Sequence, residues 1–377
     1  MIEIRKVTSN QERRQFFEFS YKLYKDDPYW VSWPIGALVE MLEPTKCGFY
    51  THGVAEAWLA YRNGKIVGRI VGSIDRTYNQ AYAEQTAFFG FYECINDPDV
   101  AKTLFGRFEE WAKSHDMNRL QGPYALNLNY GAGMLIEGFD DAPYVGMPYN
   151  LPYYKDQLES LGFSKVKDFY AFRLRGVPVL PRSLERLVKS DISKRVTYRE
   201  LNLRNLREES DLVCDLYNDG FQEHWGHVRI DRSEFYQMAL YWVEFVDPRL
   251  FVFAFFDGDP IGFFMVVPDA FQVLRAIGNP VGLMLYLGQR ILTLGHQKSI
   301  TRCRFDTVCL RKKYQRSGLG SFLYWQFLQR YLDSGFTEVE FSPTLEDNSM
   351  IQPLMVRMGA QRSKVYRIFG RALERDK

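Results

Sequence analysis

Residues 302–343, RCRFDTVCLRKKYQRSGLGSFLYWQFLQRYLDSGFTEVEFSP, hold the densest set of groups able to do chemistry. The apolar run from Phe305 to Leu310 predicts a strand, and a basic, glycine-rich loop follows it. Phe322, Trp325, Leu328 and Tyr331 then recur at helical spacing, and a second strand is expected over Val339 to Phe341. In a strand–loop–helix of this kind the amides of Gln315, Arg316, Ser317, Gly318, Leu319 and Gly320 converge at the positive end of the helix. Unpaired N–H groups and the helix dipole both favour an anion there, and a pyrophosphate has the right size and charge. Gly318 and Gly320 let backbone and phosphate approach where a Cβ would intrude. Lys312, Lys313 and Arg316 add positive charge. The loop is neither a dinucleotide fingerprint nor a Walker loop, since it has no third glycine and no Gly-Lys-Ser/Thr.

The order Gln315-Arg316-Ser317-Gly318-Leu319-Gly320, after a strand and opening a helix, resembles the Q/R-x-x-G-x-G/A signature of the GNAT acyltransferase superfamily. The resemblance implies that the loop holds the pyrophosphate of CoA. It also implies that the strand edge at Val308 and Leu310 pairs with the pantetheine arm, and that Asn348 lies beside that arm. Asn348 or Asp347 reads equally as the N-cap of the helix that follows. Many GNAT enzymes carry a Tyr seven residues beyond that Asn to protonate the departing thiolate. Met355 stands there, so the proton must come from elsewhere. YKLYKDDPYWVSWP (21–34), FFGFYE (88–93), GFDDAPYVGMPYNLPYY (138–154) and NDGFQEHWG (218–226) extend the likeness to nearly the whole chain. They are similar to a bacterial group of tandem GNAT proteins that includes the bacterial ceramide synthases.

Amide formation from a thioester needs a deprotonated amine and then a proton for the thiolate. A base that titrates near neutrality suits the first step, which points to His or to a carboxylate raised by burial. His224 and His227, with Glu223 beside them, sit in FQEHWGHVRI, a region that lines the acceptor side in GNAT folds. A plain packed turn is the competing reading of this cluster. Asp347 and Glu346 are the alternative bases, and helix capping is their competing role. No third ligand accompanies the two histidines, so no metal is expected.

The elements that must position these groups occur twice. WLAYRNGKIVGRIVG (58–72) and FVFAFFDGDPIGFFMV (251–266) are hairpins whose turns, Asn63-Gly64 and Asp257-Gly258, supply positive φ. Gly68 and Gly262 follow at the same place in each copy. LESLGFSKVKDFYAFRL (158–174) and MVRMGAQRSKVYRIFGRAL (355–373) are matching helix-to-strand signals, and the landmarks recur about 195 residues apart. The fold class expected is α/β: two tandem GNAT folds with mixed, mostly antiparallel sheets flanked by helices. Residues 1–180 form a degenerate copy that shapes the acceptor cleft, 181–199 a linker, and 200–377 the copy that binds the thioester. In the first copy the matching helix starts at Asn96-Asp97-Pro98-Asp99, where carboxylates cap the helix and repel a pyrophosphate. The copies differ in a long loop at 125–149 and in an insert at 269–300. The apolar part of that insert, 271–294, reads as two short helices: core packing, an acyl-chain wall, or a membrane-facing surface.

Composition narrows the classes further. The chain has 377 residues, 46% hydrophobic, with net charge +2, which demands neither nucleic acid nor acidic lipid. The 16% aromatic content suits a core or a cleft for apolar chains. Five cysteines without a CxxC pair read as reduced thiols. No apolar run reaches the ~20 residues of a membrane span, and no signal core follows the N-terminus. The expectation is a cytoplasmic enzyme, with contact at the inner membrane face left open. The leading reading is N-acylation of a sphingoid-type amine by acyl-CoA or an acyl carrier protein. A small polar amine as acceptor and a non-catalytic CoA-binding protein are the alternatives.

Overall fold

Asn63-Gly64 takes the positive φ expected of it (52° and 73°), as does Asp257-Gly258 (50° and 84°). Around these two turns the chain builds two units. The computed structural model describes residues 1–31, 35–243, 245–277 and 300–373.

The first unit comprises Met1–Pro143, Met147–Phe169 and the residues from Lys364 onward. It contains β1 (Ile2–Lys6), α1 (Asn10–Leu23), α2 (Ile35–Met41), the hairpin β2 (Gly53–Arg62) and β3 (Lys65–Asp75), and α3 (Arg76–Tyr82). β4 (Thr86–Cys94), α4 (Pro98–Ser114), β5 (Arg119–Gly122), β6 (Met134–Glu137), α5 (Tyr154–Ser160) and the start of β7 (Ser164–Arg175) follow. The second unit holds the rest of β7, α6 (Arg182–Val188), β8 (Val196–Glu200), α7 (Leu206–Gly220), α8 (Arg232–Trp242) and the hairpin β9 (Phe251–Phe256) and β10 (Asp259–Pro268). It continues through α9 (Phe271–Ile277), β11 (Arg302–Leu310), α10 (Gly320–Asp333), β12 (Glu338–Leu345), α11 (Ile351–Arg357) and the first residues of β13 (Gln361–Ala372).

Strand order is β1-β2-β3-β4-β5-β13 in the first unit and β7-β12-β11-β10-β9-β8 in the second. The β4–β5 and β11–β12 pairs are parallel, while the hairpins and their outer neighbours are antiparallel. The expected division near residues 180–200 is contiguous; the units are not. β13 lies beside β5, with Phe369 opposite Gly122 and Ala372 opposite Arg119. The end of β7 lies beside β12. Each copy's final strand therefore completes the sheet of the other copy.

Aromatic residues fill the cores. Trp58, Phe89, Phe105, Phe108 and Trp111 pack under α4, and Phe264, Phe305, Phe322, Phe327 and Phe341 pack under α10. Gly262 is needed for close approach: a Cβ there would strike the Cys309 carbonyl oxygen on β11. The insert at 271–294 opens with α9, and its continuation from residue 278, including the second expected helix, lies outside the described residues.

Candidate functional site

A bulge in β11 opens the sheet of the second unit. Met265 of β10 faces Thr307 while Val266 faces Phe305, so Asp306 is the extra residue. On its other side β11 pairs with β12 only from Arg302 to Phe305. Beyond the bulge β11 continues with β10 alone, and the two parallel strands diverge. The Arg311 amide donates to Ile261 O at 2.8 Å, which fixes which residues of β11 face β10. By the alternation of an antiparallel ladder, the N–H and C=O of Val308 and the N–H of Leu310 then point away from β10, into the opening, while Leu310 O on the same side accepts from Gln315 Nε2 at 3.0 Å. The geometry is that of a free strand edge able to pair with an extended amide-bearing chain.

The loop at the end of this edge presents amides in alternation. Gln315 N donates to Lys312 O, Ser317 N to Tyr314 O and Leu319 N to Ser317 Oγ. Among the described residues the amides of Arg316 and Gly318 have no backbone acceptor, and Gly320 stands at the first position of α10, whose N-cap, Leu319, supplies no side-chain bond. Arg316 (φ 66°) and Gly318 (φ 87°) hold the left-handed conformations that turn these amides outward. A Cβ on Gly318 would have nothing within 4 Å. The Gln315 side chain is spent on the fold, donating to Gly220 O (2.8 Å) and Leu310 O (3.0 Å). The expected ring of positive charge is smaller than the sequence suggests. Lys312 pairs with Glu223, and Lys313 pairs with Asp259 at 2.7 Å. Arg316 is exposed and, among the described residues, makes no ion pair.

The candidate acid–base residues separate into two groups. Glu223 is exposed and directed to Lys312, away from the role expected for it. His224 is half-buried, and its Nδ1 lies 3.3 Å from Trp225 O, which assigns the ring proton to Nδ1 and leaves the Nε2 lone pair as an acceptor. Burial lowers the His224 pKa, opposed by that carbonyl and by the nearby Asp347 carboxylate, so the ring is neutral at pH 7. Asp347 is within electrostatic reach of His224. Asn348 Oδ1 accepts from Met350 N (3.3 Å) and Ile351 N (3.1 Å). The helix N-cap itself is Met350, so Asn348 Oδ1 closes the turn that leads into α11, and its Nδ2 group remains for another partner.

Residues 211–360 match the family model described as "Acetyltransferase (GNAT) family". The chain is 29% identical over 371 residues to Protein YghO of Escherichia coli strain K12, covering 97% of this chain and 94% of that one. It is 27% identical over 373 residues to the bacterial ceramide synthase of Caulobacter vibrioides, covering 97% and 96%. Among solved structures it resembles a tandem GNAT protein from the clavulanic acid biosynthesis pathway, with TM-score 0.57, 12% identity and full coverage of both chains. A GCN5-related N-acetyltransferase from Sphaerobacter thermophilus gives TM-score 0.54, 13% identity and coverage of 100% and 97%. The fold is tandem GNAT, and family and fold together support an N-acyltransferase. Among the described residues no cluster of three or more His, Cys, Asp or Glu is placed to hold a metal, and no helix is long and apolar enough to cross a membrane.

The matched region also holds groups that sequence reasoning missed. Asp306, at the bulge, is paired with Arg304 at 2.9 Å and accepts from Thr307 Oγ1 at 2.7 Å. Tyr217 of α7 stacks on His227 (5.4 Å, edge to face) and feels both Asp306 and Cys309. Burial pushes its hydroxyl pKa up, so it carries its proton at neutral pH. A bulge has no residue signature, and a Tyr on an amphipathic helix looks like any core residue.

The counterpart in the first unit is closed by its own chain. β4–β5 pairing ends at Phe88 opposite Gln121, but the Tyr124 amide donates to Phe89 O at 2.8 Å. Tyr124 backbone lies directly on Gly90, and Leu126 O accepts from Ser73 Oγ at 2.7 Å. At the start of α4 the Asp97 carboxylate takes the amides of Asp99 (3.0 Å) and Val100 (3.3 Å) and pairs with Arg62. Both the strand edge and the helix terminus are used internally.

His227 makes stability depend on pH. Burial, and then neighbouring His224, lower its pKa from 6.5 to about 4. The unfolded chain therefore binds a proton that the folded chain refuses, and stability is lost as pH falls from about 6.5 towards 4. With partial solvent screening the loss is about 2 kcal/mol. Urea melts of wild type and His227→Phe at pH 7 and pH 4.5 measure it. Wild type should lose more stability between the two pH values than the variant; parallel losses would show that His227 contributes nothing.

Proposed function

We propose that the chain is an acyl-CoA-dependent N-acyltransferase whose second half binds the donor and whose acceptor is a long-chain, sphingoid-type amine. The observation that carries the donor assignment is the edge formed by the Val308 amide group and the Leu310 N–H, leading to the alternating amides of Arg316, Gly318 and Gly320. In this reading the pyrophosphate lies on the loop amides, and the pantetheine amides pair with the edge and run back towards Asp306. Four residues of strand span ~13 Å, which sets the thioester near the bulge. An acyl carrier protein offers the same arm and would be read by the same edge.

His224, neutral and with Nε2 unprotonated, takes a proton from the acceptor ammonium, and Asp347 steadies the imidazolium that forms. The amine nitrogen attacks the thioester carbonyl, a C–N bond forms, and the C–S bond breaks with its electron pair on sulfur. Tyr217, which keeps its proton at neutral pH, gives it to the thiolate in place of the tyrosine that Met355 displaces, and is reprotonated by the second N–H proton that the nitrogen sheds as the amide forms.

The acceptor rests on whole-length similarity to a protein named bacterial ceramide synthase. A long alkyl chain contributes about 0.8 kcal/mol per buried CH₂, so few polar contacts are needed to hold a sphingoid head group. The reaction would run in the cytoplasm or at the inner membrane face. Purified protein is given a long-chain acyl-CoA with sphinganine or 3-ketosphinganine, and separately with short polar amines, while free CoA thiol is followed. The long-chain amines should turn over faster. Faster turnover of the polar amines would overturn the lipid acceptor and leave the acyltransferase reading intact.

A further inference from the structure

α6 carries three cations on one side, against the single carboxylate Glu185 on the same helix. Leu184 is buried, and Leu180, Leu187 and Val188 pack into the core beneath α10. The opposite side of the helix shows Arg182, Arg186 and Lys189, all exposed. Their spacing, four and then three residues, aligns them on one helical face. Among the described residues none of the three makes an ion pair. Over residues 176–195 they are joined by Lys194 and Arg195, against only Glu185 and Asp191, in a chain whose net charge is +2. Lys194 pairs with Asp191 at 2.6 Å and Arg195 with Asp257, so the unpaired charge is that of the stripe.

Aliphatic side chains stand exposed in the same segment. Val177 is 77% exposed, Val179 62% and Ile192 42%, at either end of α6. Val179 is fixed in place, since its amide donates to Met358 O at 3.0 Å. Branched aliphatics held in water cost free energy unless something covers them. α6 packs on α10, the helix whose N-terminus carries the loop amides.

We propose that residues 176–195 rest on an anionic phospholipid bilayer: Arg182, Arg186 and Lys189 meet lipid phosphates, and Val177, Val179 and Ile192 enter the interface. Cations and exposed aliphatics together supply the two terms of interfacial binding, each weak alone. An acidic protein surface would satisfy the cations but gives no reason for three separated aliphatics. The surface differs from the apolar insert and does not use it. It gives the proposed acyltransferase access to a lipid acceptor, but its binding does not depend on that acceptor.

The full chain is sedimented with phosphatidylcholine vesicles, with and without phosphatidylglycerol, at low and raised salt. Wild type should bind only the anionic vesicles and lose affinity as salt rises. Arg182→Gln/Arg186→Gln/Lys189→Gln should weaken binding about 100-fold. Val177→Ser/Val179→Ser should weaken it about 10-fold. Turnover of a soluble short-chain acyl-CoA with a soluble amine should be unchanged in both variants. The salt series on wild type tests the same point should either variant fail to fold. Equal binding to phosphatidylcholine alone, unchanged affinity of the triple variant, or retention only by an acidic carrier protein would overturn the proposal. The vesicles contain no substrate, so a failed acceptor assay leaves this result standing, and the reverse holds.

Discussion

Gly318→Asp should lower CoA affinity at least 100-fold while the protein stays folded. Gly318 has φ 87° and open space where a Cβ would stand, so the new side chain meets no protein atom. The cost to the fold is the left-handed backbone, about 1 kcal/mol. The cost to the ligand is larger: a carboxylate would stand among the amides proposed to hold a pyrophosphate, and a like charge at ~4 Å costs about 4 kcal/mol at the effective dielectric of a protein surface. Gly318→Asn separates the two effects, because Asn tolerates this backbone and has no charge. Calorimetry with CoA should rank wild type above Asn, and Asn well above Asp. Equal affinities in folded variants would remove the loop from the donor site.

His224→Gln should reduce kcat by ~10²–10⁴, the range expected for loss of a general base. Glutamine preserves bulk and a hydrogen bond but cannot take the proton. Because burial lowers the His224 pKa, wild-type activity should persist below the ordinary histidine value before falling on the acid side. The acid limb of the kcat/KM profile should vanish in the variant. Far-UV circular dichroism checks the fold, which the neutral Trp225 contact alone would not be expected to govern. A variant with wild-type kcat would reassign the base to Asp347, and Asp347→Asn is the next measurement.

The strand–loop–helix from Phe305 to Tyr331 was readable because local signals agree there: apolar alternation, two glycines at a turn, then helical spacing. The hairpins were readable for the same reason, since Asn63-Gly64 and Asp257-Gly258 need no distant partner to declare themselves. What the residues did not disclose depends on contacts far apart in sequence. Lys312 and Lys313 look like phosphate ligands until Glu223 and Asp259 are seen beside them. Tyr124 looks like a loop residue until its backbone is found on Gly90. The bulge at Asp306, which frees Val308 and Leu310, arises from register between two strands and has no motif of its own.

The exchange of final strands bears on how the chain is made. β5 leaves the ribosome well before its partner in β13, which lies opposite Gly122 and Arg119. Until about 250 further residues have emerged, the first sheet has an unpaired edge, and loop closure of that length slows its completion. An exposed strand edge invites pairing with other chains, so this interval is where a chaperone would act. The same dependence bears on inheritance. The first copy cannot be deleted without leaving β12 short of the β7 segment beside it. The two halves depend on each other's strands whether or not both keep an anion site.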